Sequence, residues 1–328
     1  MGANLMKAVV AQRAGGPEVL EVVELPVPQP GPGEVLIRHA AIGLNFIDTY
    51  HRSGLYPVTY PMVLGVEAAG SIEAVGPGVT RFRPGDRVAY APAPSGGYAE
   101  VSVRAADRVV RVPDDIPFDL AAAALLKGMT AEFLLRRTFH VKQGDTILVH
   151  AAAGGVGSIL VQWAKALGAV VIGTAGSEAK LEIARRLGAD HVLLTEQPDL
   201  AEQVRDLTGG RGVPVVYDSV GKTTFDASLA SLARRGLMVT FGNASGPPAP
   251  VDPLRLSRGG SLFLTRPTLH DYVATTEELD ASAAAVFEVL ASGKVKVEIG
   301  QRFPLTEARA AHEALEGRKT TGSTVLVP

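Results

Sequence analysis

His150-Ala151-Ala152-Ala153-Gly154-Gly155-Val156-Gly157-Ser158 stands between an apolar run, Thr146 to Val149, and a helical pattern, Ile159 to Leu167. A strand that turns through glycines into a helix gathers unpaired backbone N–H groups at one point, which suits a phosphate diester. The stretch reads either as a dinucleotide-binding turn or as a tight strand-to-helix turn without a ligand. Its surroundings decide between the two.

Downstream, strands and helices alternate as in βαβ units. Strands are expected at Thr146–Val149, Val170–Gly173, His191–Leu194, Val213–Asp218, Leu237–Phe241 and Ser261–Leu264. Val156, Leu160, Trp163 and Leu167 recur at steps of four, three and four, one apolar stripe of a helix that Gly168 ends. A second helix, Glu178 to Leu187, closes on Gly188 in the same way. Six strands with crossover helices predict a doubly wound parallel sheet of the α/β class, in a dinucleotide-binding domain spanning residues 125–266.

Residues 1–124 differ in kind. They are rich in proline, glycine and β-branched residues, with turns at Pro28-Gln29-Pro30-Gly31-Pro32-Gly33 and Gly76-Pro77-Gly78. Glu34–His39, Ala68–Val75 and Asp86–Ala89 read as strands of a barrel-like, mainly antiparallel β domain that supplies the substrate side. The tail, 267–328, carries helices at Glu277–Ser292 and Leu305–Glu316 and a last strand, Ser323–Val327, and is assigned back to the first domain.

A length of 328 residues suits about two domains, and no apolar run approaches the ~20 residues of a membrane span. The start, Met1-Gly2-Ala3-Asn4-Leu5-Met6, lacks the basic and apolar segments of an export signal, and Met6 stands where myristoylation wants Ser or Thr. With no cysteine there is no disulfide, thiolate zinc site or cysteine nucleophile, and a reducing compartment is acceptable. A net charge of −2 and pI near 6.4 give no broad basic field for nucleic acid. His51, His140, His191, His270 and His312 show no metal-ligand spacing, and no Gly-x-Ser-x-Gly elbow is present. Arg136-Arg137, Arg185-Arg186 and Arg234-Arg235 read as solvated cations at or near helix ends.

In a dinucleotide fold the residue ending the second strand bonds the adenosine ribose, and an acid there selects the unphosphorylated cofactor. Gly173-Thr174-Ala175-Gly176-Ser177 contains no acid. Ser177 suits an N-cap, and Lys180 takes the place that a capping box gives to Glu. A cation in a first helical turn opposes the helix dipole unless an anion meets it. The 2′-phosphate of NADP is such an anion, and a lysine tolerated beside Glu178 is the plain alternative.

Taken together with Asn45-Phe46-Ile47-Asp48-Thr49-Tyr50, Gly65-Val66-Glu67-Ala68-Ala69-Gly70, Lys127-Gly128-Met129-Thr130, Tyr217-Asp218-Ser219-Val220-Gly221 and Val239-Thr240-Phe241-Gly242-Asn243, the glycine stretch carries a resemblance. The chain resembles the zinc-independent medium-chain dehydrogenase/reductases, and within them the quinone oxidoreductases related to ζ-crystallin, from Lys7 onward. Zinc-dependent relatives carry His within the segment Gly65-Val66-Glu67 and Cys at or beside Asn45; Val66 cannot bind zinc. The cysteine-rich lobe of those relatives is missing between Ala89-Tyr90-Ala91-Pro92 and Gly96-Gly97-Tyr98-Ala99-Glu100. Without a Lewis acid to hold an alkoxide, dehydrogenation of simple alcohols is not expected.

The resemblance implies NADPH-dependent, zinc-independent reduction of quinones, with Asn45 and Tyr50 as neutral donors to the developing oxyanion. On this reading Gly154, Gly155, Val156 and Gly157 cradle the pyrophosphate, and Ser177 and Lys180 are the residues that the helix-end argument sets toward a 2′-phosphate. Thr130 is placed near the nicotinamide ribose or amide and Lys127 near the ribose, Phe241, Gly242 and Asn243 on the nicotinamide side, and Arg318 near the cofactor. Thr195 stands where relatives often carry a tyrosine near the 2′-phosphate, which weakens the case for tight NADPH selectivity. A cytoplasmic homodimer paired along the edge strand near Ser261–Leu264 is also implied. The alternatives are a reductase of activated C=C bonds in enals or enones and, from another class, a single-stranded nucleic-acid-binding or structural protein, against which the acidic balance and the 5% aromatic content stand.

Overall fold

The computed structural model describes residues 4–92 and 94–328. Met1–Ala3, part of the stretch that argued against an export signal or lipid anchor, lie outside the described residues. The chain begins with β1 (Leu5–Ala11), β2 (Leu20–Pro26), β3 (Glu34–Leu44), α1 (Phe46–Ser53), β4 (Met62–Val63), β5 (Ala68–Val75), β6 (Arg87–Tyr90), β7 (Val101–Ala105) and β8 (Val110–Arg111). After α2 (Phe118–Phe133) come β9 (Thr146–Val149), α3 (Gly155–Ala166), β10 (Val170–Ala175), α4 (Glu178–Arg186), β11 (His191–Leu194), α5 (Leu200–Leu207) and β12 (Val213–Asp218). The series continues with α6 (Phe225–Ser231), β13 (Leu232–Thr240), α7 (Pro253–Arg258), β14 (Phe263–Thr265) and α8 (Leu269–Tyr272). It closes with α9 (Thr276–Ala291), β15 (Ile299–Pro304), α10 (Ala308–Glu316) and β16 (Ser323–Val327).

Two compact units result. One comprises the residues up to Met129 with Val273–Ala291 and Val297–Pro328; the other comprises Thr130–Tyr272 with Ser292–Lys296. In the first, β2-β1-β4 form a small sheet, and a larger one runs β15-β16-β3-β5-β6-β8 with β7 also on β3. Its pairings are antiparallel except β15 on β16. β3 supplies Val35, Ile37, Ile42 and Leu44 to a core shared with Leu64, Ile72, Val88 and Leu326. The long strand is therefore pinned on both sides, and its end at Leu44 presents a rigid start for α1.

The second unit is a parallel sheet ordered β11-β10-β9-β12-β13-β14. Strand order reverses between β9 and β12, the switch point at whose carboxyl edge doubly wound sheets hold ligands. Leu160 and Trp163 of α3 are buried as the stripe requires, each worth about 2 kcal/mol in area removed from water. Gly168 and Gly188 take the left-handed conformation that ends a helix without a Cβ penalty, with φ of 85° and 102°.

Several boundaries differ from the pattern reading. α3 begins at Gly155, one residue before the first member of the apolar stripe, Val156, so the glycines themselves form its first turn. β13 stops at Thr240, leaving Phe241 just beyond the sheet, and the edge strand is Phe263–Thr265. Arg234 and Arg235 fall inside β13, where Arg235 has φ of 63°, so they are not cations of a helix end. Arg136 and Arg137 lie in the last turn of the helical segment Leu134–Thr138 that continues α2, Arg137 also bound to Glu132 at 2.7 Å, and Arg185 and Arg186 lie in the last turn of α4, both pairs at helix ends as expected. Among the described residues, no helix is long and apolar enough to cross a membrane.

Candidate active site

Where β3 ends, Asn45 takes an extended conformation (φ −136°, ψ 155°) and heads α1. Asp48, three residues on, returns its Oδ2 to the Asn45 N–H at 2.9 Å, while the Asp48 N–H bonds Asn45 O at 3.1 Å. The two residues form a capping box at the start of α1, and the asparagine amide also reaches beyond the helix end. Its Nδ2 donates to Glu67 Oε2 at 2.8 Å, and Glu67 Oε1 accepts the Leu126 N–H at 2.6 Å. Lys127 Nζ stands 3.9 Å from Glu67 Oε2 and 3.4 Å from Leu44 O. Asn45, Glu67 and Lys127 are all buried. A Cβ on Gly43 would overlap both Glu67 Oε2 and Ala122 O, so only glycine lets the carboxylate lie against β3.

Burial pushes the Glu67 carboxyl up and the Lys127 ammonium down, and each is opposed by the other's charge. Asp48 is pushed up to about 7, chiefly by burial, against the Asn45 N–H and the Tyr98 hydroxyl that favour its charged form. Its Oδ1 is buried without a hydrogen-bond partner. Tyr98 OH donates to Asp48 Oδ2 at 3.2 Å and lies 3.0 Å from His312 Nε2. Arg52 Nη1 is 3.0 Å from His312 Nδ1 and, like Nη2, 2.8 Å from Glu316. The guanidinium can only donate, so His312 Nδ1 accepts and the ring's proton sits on Nε2. Burial first, and the Arg52 charge next, push His312 down to about 3, which keeps that ring neutral.

Tyr50 lies on α1 and is largely buried, its ring 5.2 Å from that of Tyr56 in an edge arrangement and 6.3 Å from Phe46. A phenol in such a wall offers its hydroxyl as a neutral donor while its ring packs.

In the second unit the turn after β9 carries Ala151 at φ 50°, and the Gly154 N–H bonds Ala151 O at 2.8 Å. Gly154 caps α3, and the N–H groups of Gly155, Val156 and Gly157 have no acceptor within their own helix. A Cβ on Gly157 would overlap Ala151 O, so the close return of the chain depends on that glycine. The arrangement fits a pyrophosphate, since it converges donors at the positive end of a helix dipole. At the end of β10, Ser177 Oγ accepts the Lys180 N–H at 3.4 Å in the exposed first turn of α4. Residues 173–177 hold no carboxylate, and Glu178 is the acid of that turn. Phe241, Gly242 and Asn243 follow β13, with the Phe241 N–H on Asp218 O at 2.8 Å and Arg266 Nη1 on Gly242 O at 3.0 Å.

The structure thus brings Asn45 and Lys127 to one carboxylate, and sets Gly154–Gly157, Ser177 with Lys180, and Phe241–Asn243 at carboxyl ends of strands in one sheet. Thr130 lies on α2 but in the second unit, whereas Arg318 is an exposed residue of the first unit, just past α10 with φ 56°. Thr195 follows β11 and its Oγ1 bonds Thr174 Oγ1 at 3.2 Å. Glu67, Asp48, Tyr98, His312 and His150 were not singled out for a role by pattern. Glu67 and Asp48 sit inside quoted motifs, and an acid set among apolar residues, Glu67 between Val66 and Ala68 and Asp48 after Phe46 and Ile47, is the signal that points to them. Among the described residues, no group of three or more His, Asp or Glu side chains could hold a metal ion.

Residues 31–114 match the family model described as the alcohol dehydrogenase GroES-like domain, and 155–287 the one described as zinc-binding dehydrogenase. The chain is 53% identical to a quinone oxidoreductase of Pseudomonas aeruginosa, over 96% of this chain and 97% of that protein. It is 45% identical to a 2-haloacrylate reductase of a Burkholderia species, over 99% of each. Its fold matches, with a TM-score of 0.96 and 47% identity, the crystal structure of Escherichia coli quinone oxidoreductase complexed with NADPH, covering 98% of this chain and 100% of that one.

Proposed function

Because the chain belongs to the quinone oxidoreductases of the zinc-independent medium-chain dehydrogenase/reductase family, we propose that it reduces quinones with NADPH. The observation that carries this reading is the fixed side chain of Asn45: one amide hydrogen is held by Glu67, and the nitrogen carries a second for an acceptor oxygen. When bound, NADPH supplies a hydride. The chain's own part is to hold the dinucleotide, orient the acceptor and steady the charge that develops on its oxygen.

Asn45 and Tyr50 are the donors we assign to that oxygen, each worth on the order of 10²-fold in rate, and Tyr50 hands on the final proton. Gly154, Gly155, Val156 and Gly157 bind the pyrophosphate, and Ser177 with Lys180 the 2′-phosphate. Thr130 and Lys127 contact the nicotinamide ribose, Phe241, Gly242 and Asn243 line the nicotinamide side, and Arg318 adds a cation toward the cofactor. We place the protein in the cytoplasm as a homodimer joined along β14, the sheet edge on which Phe263 is 59% exposed.

Reduction of an activated C=C bond makes the same demands, a positioned hydride and a donor to oxygen, and the similarity to a 2-haloacrylate reductase favours it as the second reading. NADPH oxidation measured with 1,4-benzoquinone, naphthoquinones, alkenals and 2-haloacrylate separates the two. Higher kcat/KM for the quinones is expected; turnover confined to the alkenes would sink the quinone reading.

A further inference from the structure

His150, the first residue of the glycine stretch, is fully enclosed in the second unit, and both its ring nitrogens are engaged. Nδ1 lies 2.8 Å from Thr174 Oγ1 and Nε2 2.9 Å from Ser228 Oγ. Ser228 in turn donates to Asp218 Oδ2 at 2.8 Å, beside Thr224 Oγ1 at 2.7 Å. Asp218 Oδ1 accepts the N–H groups of Val220 and Gly221 at 2.8 and 3.0 Å.

Hydrogen counting gives these bonds one direction. Ser228 has a single hydroxyl hydrogen, and the carboxylate takes it. The serine oxygen therefore accepts from His150 Nε2–H, which leaves a lone pair on Nδ1 to accept from Thr174. Thr174 Oγ1 then accepts from Thr195. Burial pushes the His150 ring below its usual range, opposed by the Asp218 charge, in keeping with a neutral imidazole.

This row of bonds joins the ends of β11, β10 and β9 to α6 and β12. The backbone repeats the tie: the Ala152 N–H bonds Thr174 O at 2.8 Å, and the His150 N–H bonds Tyr217 O at 3.0 Å. Thr174 and Thr195 lie at the strands assigned to the adenosine half of the nucleotide, and the Ser219–Gly221 turn held by Asp218 lies across the switch point, toward the nicotinamide half. A buried polar row in which every member is satisfied admits one arrangement and resists partial loosening.

We propose that His150 is a positioning residue that locks the adenosine side and the nicotinamide side of the nucleotide site into one arrangement, so that order at the Asp218 turn is felt where the adenosine binds. This rests on the dinucleotide reading proposed above.

The test uses adenosine 2′,5′-bisphosphate, which reaches only the adenosine half, and a double-mutant cycle read by calorimetric Kd. Ser228→Ala, on the far side of His150, is expected to weaken binding on the order of fivefold. In a His150→Phe background the same substitution is expected to change nothing. Thr174→Val, which keeps the shape without the hydroxyl, should lose as much as Ser228→Ala, and Thr174→Ser should recover it. The threonine pair decides the matter if His150→Phe does not fold. An unchanged Kd for Ser228→Ala, independent losses in the cycle, or equal affinity of Thr174→Val and Thr174→Ser would each overturn the proposal. A wild-type protein that binds neither the bisphosphate nor NADPH would instead overturn the nucleotide reading, and this inference with it.

Discussion

Asn45 Nδ2 donates to Glu67 Oε2 across 2.8 Å, so a buried carboxylate 22 residues away sets the orientation of the amide assigned to the substrate. Glu67 is held in its turn by the Leu126 N–H and faced by Lys127. An amide fixed in this way needs no reorganisation when charge develops in front of it, which is the condition for effective electrostatic stabilisation.

Removing that donor is expected to damage turnover and spare the cofactor. Asn45→Ala should lower kcat/KM for 1,4-benzoquinone by about 100-fold, with Kd for NADPH unchanged. Glu67→Gln leaves the amide a partner but not an anionic one, and a smaller loss is expected. If Asn45→Ala and Tyr50→Phe both keep wild-type kcat/KM for every quinone tried, the two roles are wrong.

Gly43 tests the same geometry from the backbone. Gly43→Ala puts a methyl group into the space of Glu67 Oε2 and Ala122 O. Overpacking of this kind costs about 1–3 kcal/mol, read as a lower Tm, and the displaced carboxylate should carry Asn45 with it and reduce kcat. A stable Gly43→Ala protein with unaltered kcat would show that Glu67 does not position the amide.

The proposed 2′-phosphate role of Lys180 can be tested through the choice of cofactor. Its side chain springs from the first turn of α4, where a cation is unfavourable without an anion. Lys180→Ala is expected to reduce the NADPH/NADH ratio of kcat/KM on the order of tenfold, an effect that shrinks at high salt because the site is exposed. A ratio that does not move removes this lysine from the 2′-phosphate site.

Asp48 gives a pH dependence with a definite sign. Its carboxyl is pushed up from an ordinary 3.8 to about 7, chiefly by burial. The folded state therefore holds this proton more tightly than the unfolded state does. Its contribution to stability is complete below the unfolded value and is lost as pH rises through about 7, by at most about 1.4 kcal/mol per pH unit. Asp48→Asn keeps the acceptor for the Asn45 N–H and Tyr98 but cannot titrate. The stability of the wild type relative to this variant should fall between about pH 4 and 7 and level off above, and a difference that stays flat across that range would mean that Asp48 titrates normally.

Much of the second unit was legible because its signals are local. Apolar runs of four to six residues, a stripe at helical spacing and glycines at helix ends mark out β9 to β12 and their helices from neighbours in sequence alone. The stripe placed the start of α3 within one residue, at Val156, although glycine is a poor helix former in a helix interior; in a first turn its freedom is cheap and its small size is needed. Arg234-Arg235 were read as helix-end cations because they follow a helical pattern; pairing with β12 draws that segment into the sheet. The candidate site was legible as motifs and not as contacts. Asn45, Tyr50 and the glycine turn could be named, but not the carboxylate on which Asn45 depends.

The amino-acid sequence by itself determined the doubly wound sheet, the glycine turn that opens the helix between its first two strands, and the absence of an acid at the end of the second strand. Periodicity and backbone propensity act over a few residues, so they can be read without a fold. Tertiary structure alone decided which polar groups are buried together. Asn45 meets Glu67, Tyr98 meets His312 across 214 positions, and Arg52 meets Glu316 across 264. A buried carboxylate or imidazole takes its protonation and its hydrogen-bond direction from such neighbours, and nothing in the local sequence records which neighbours the fold will bring.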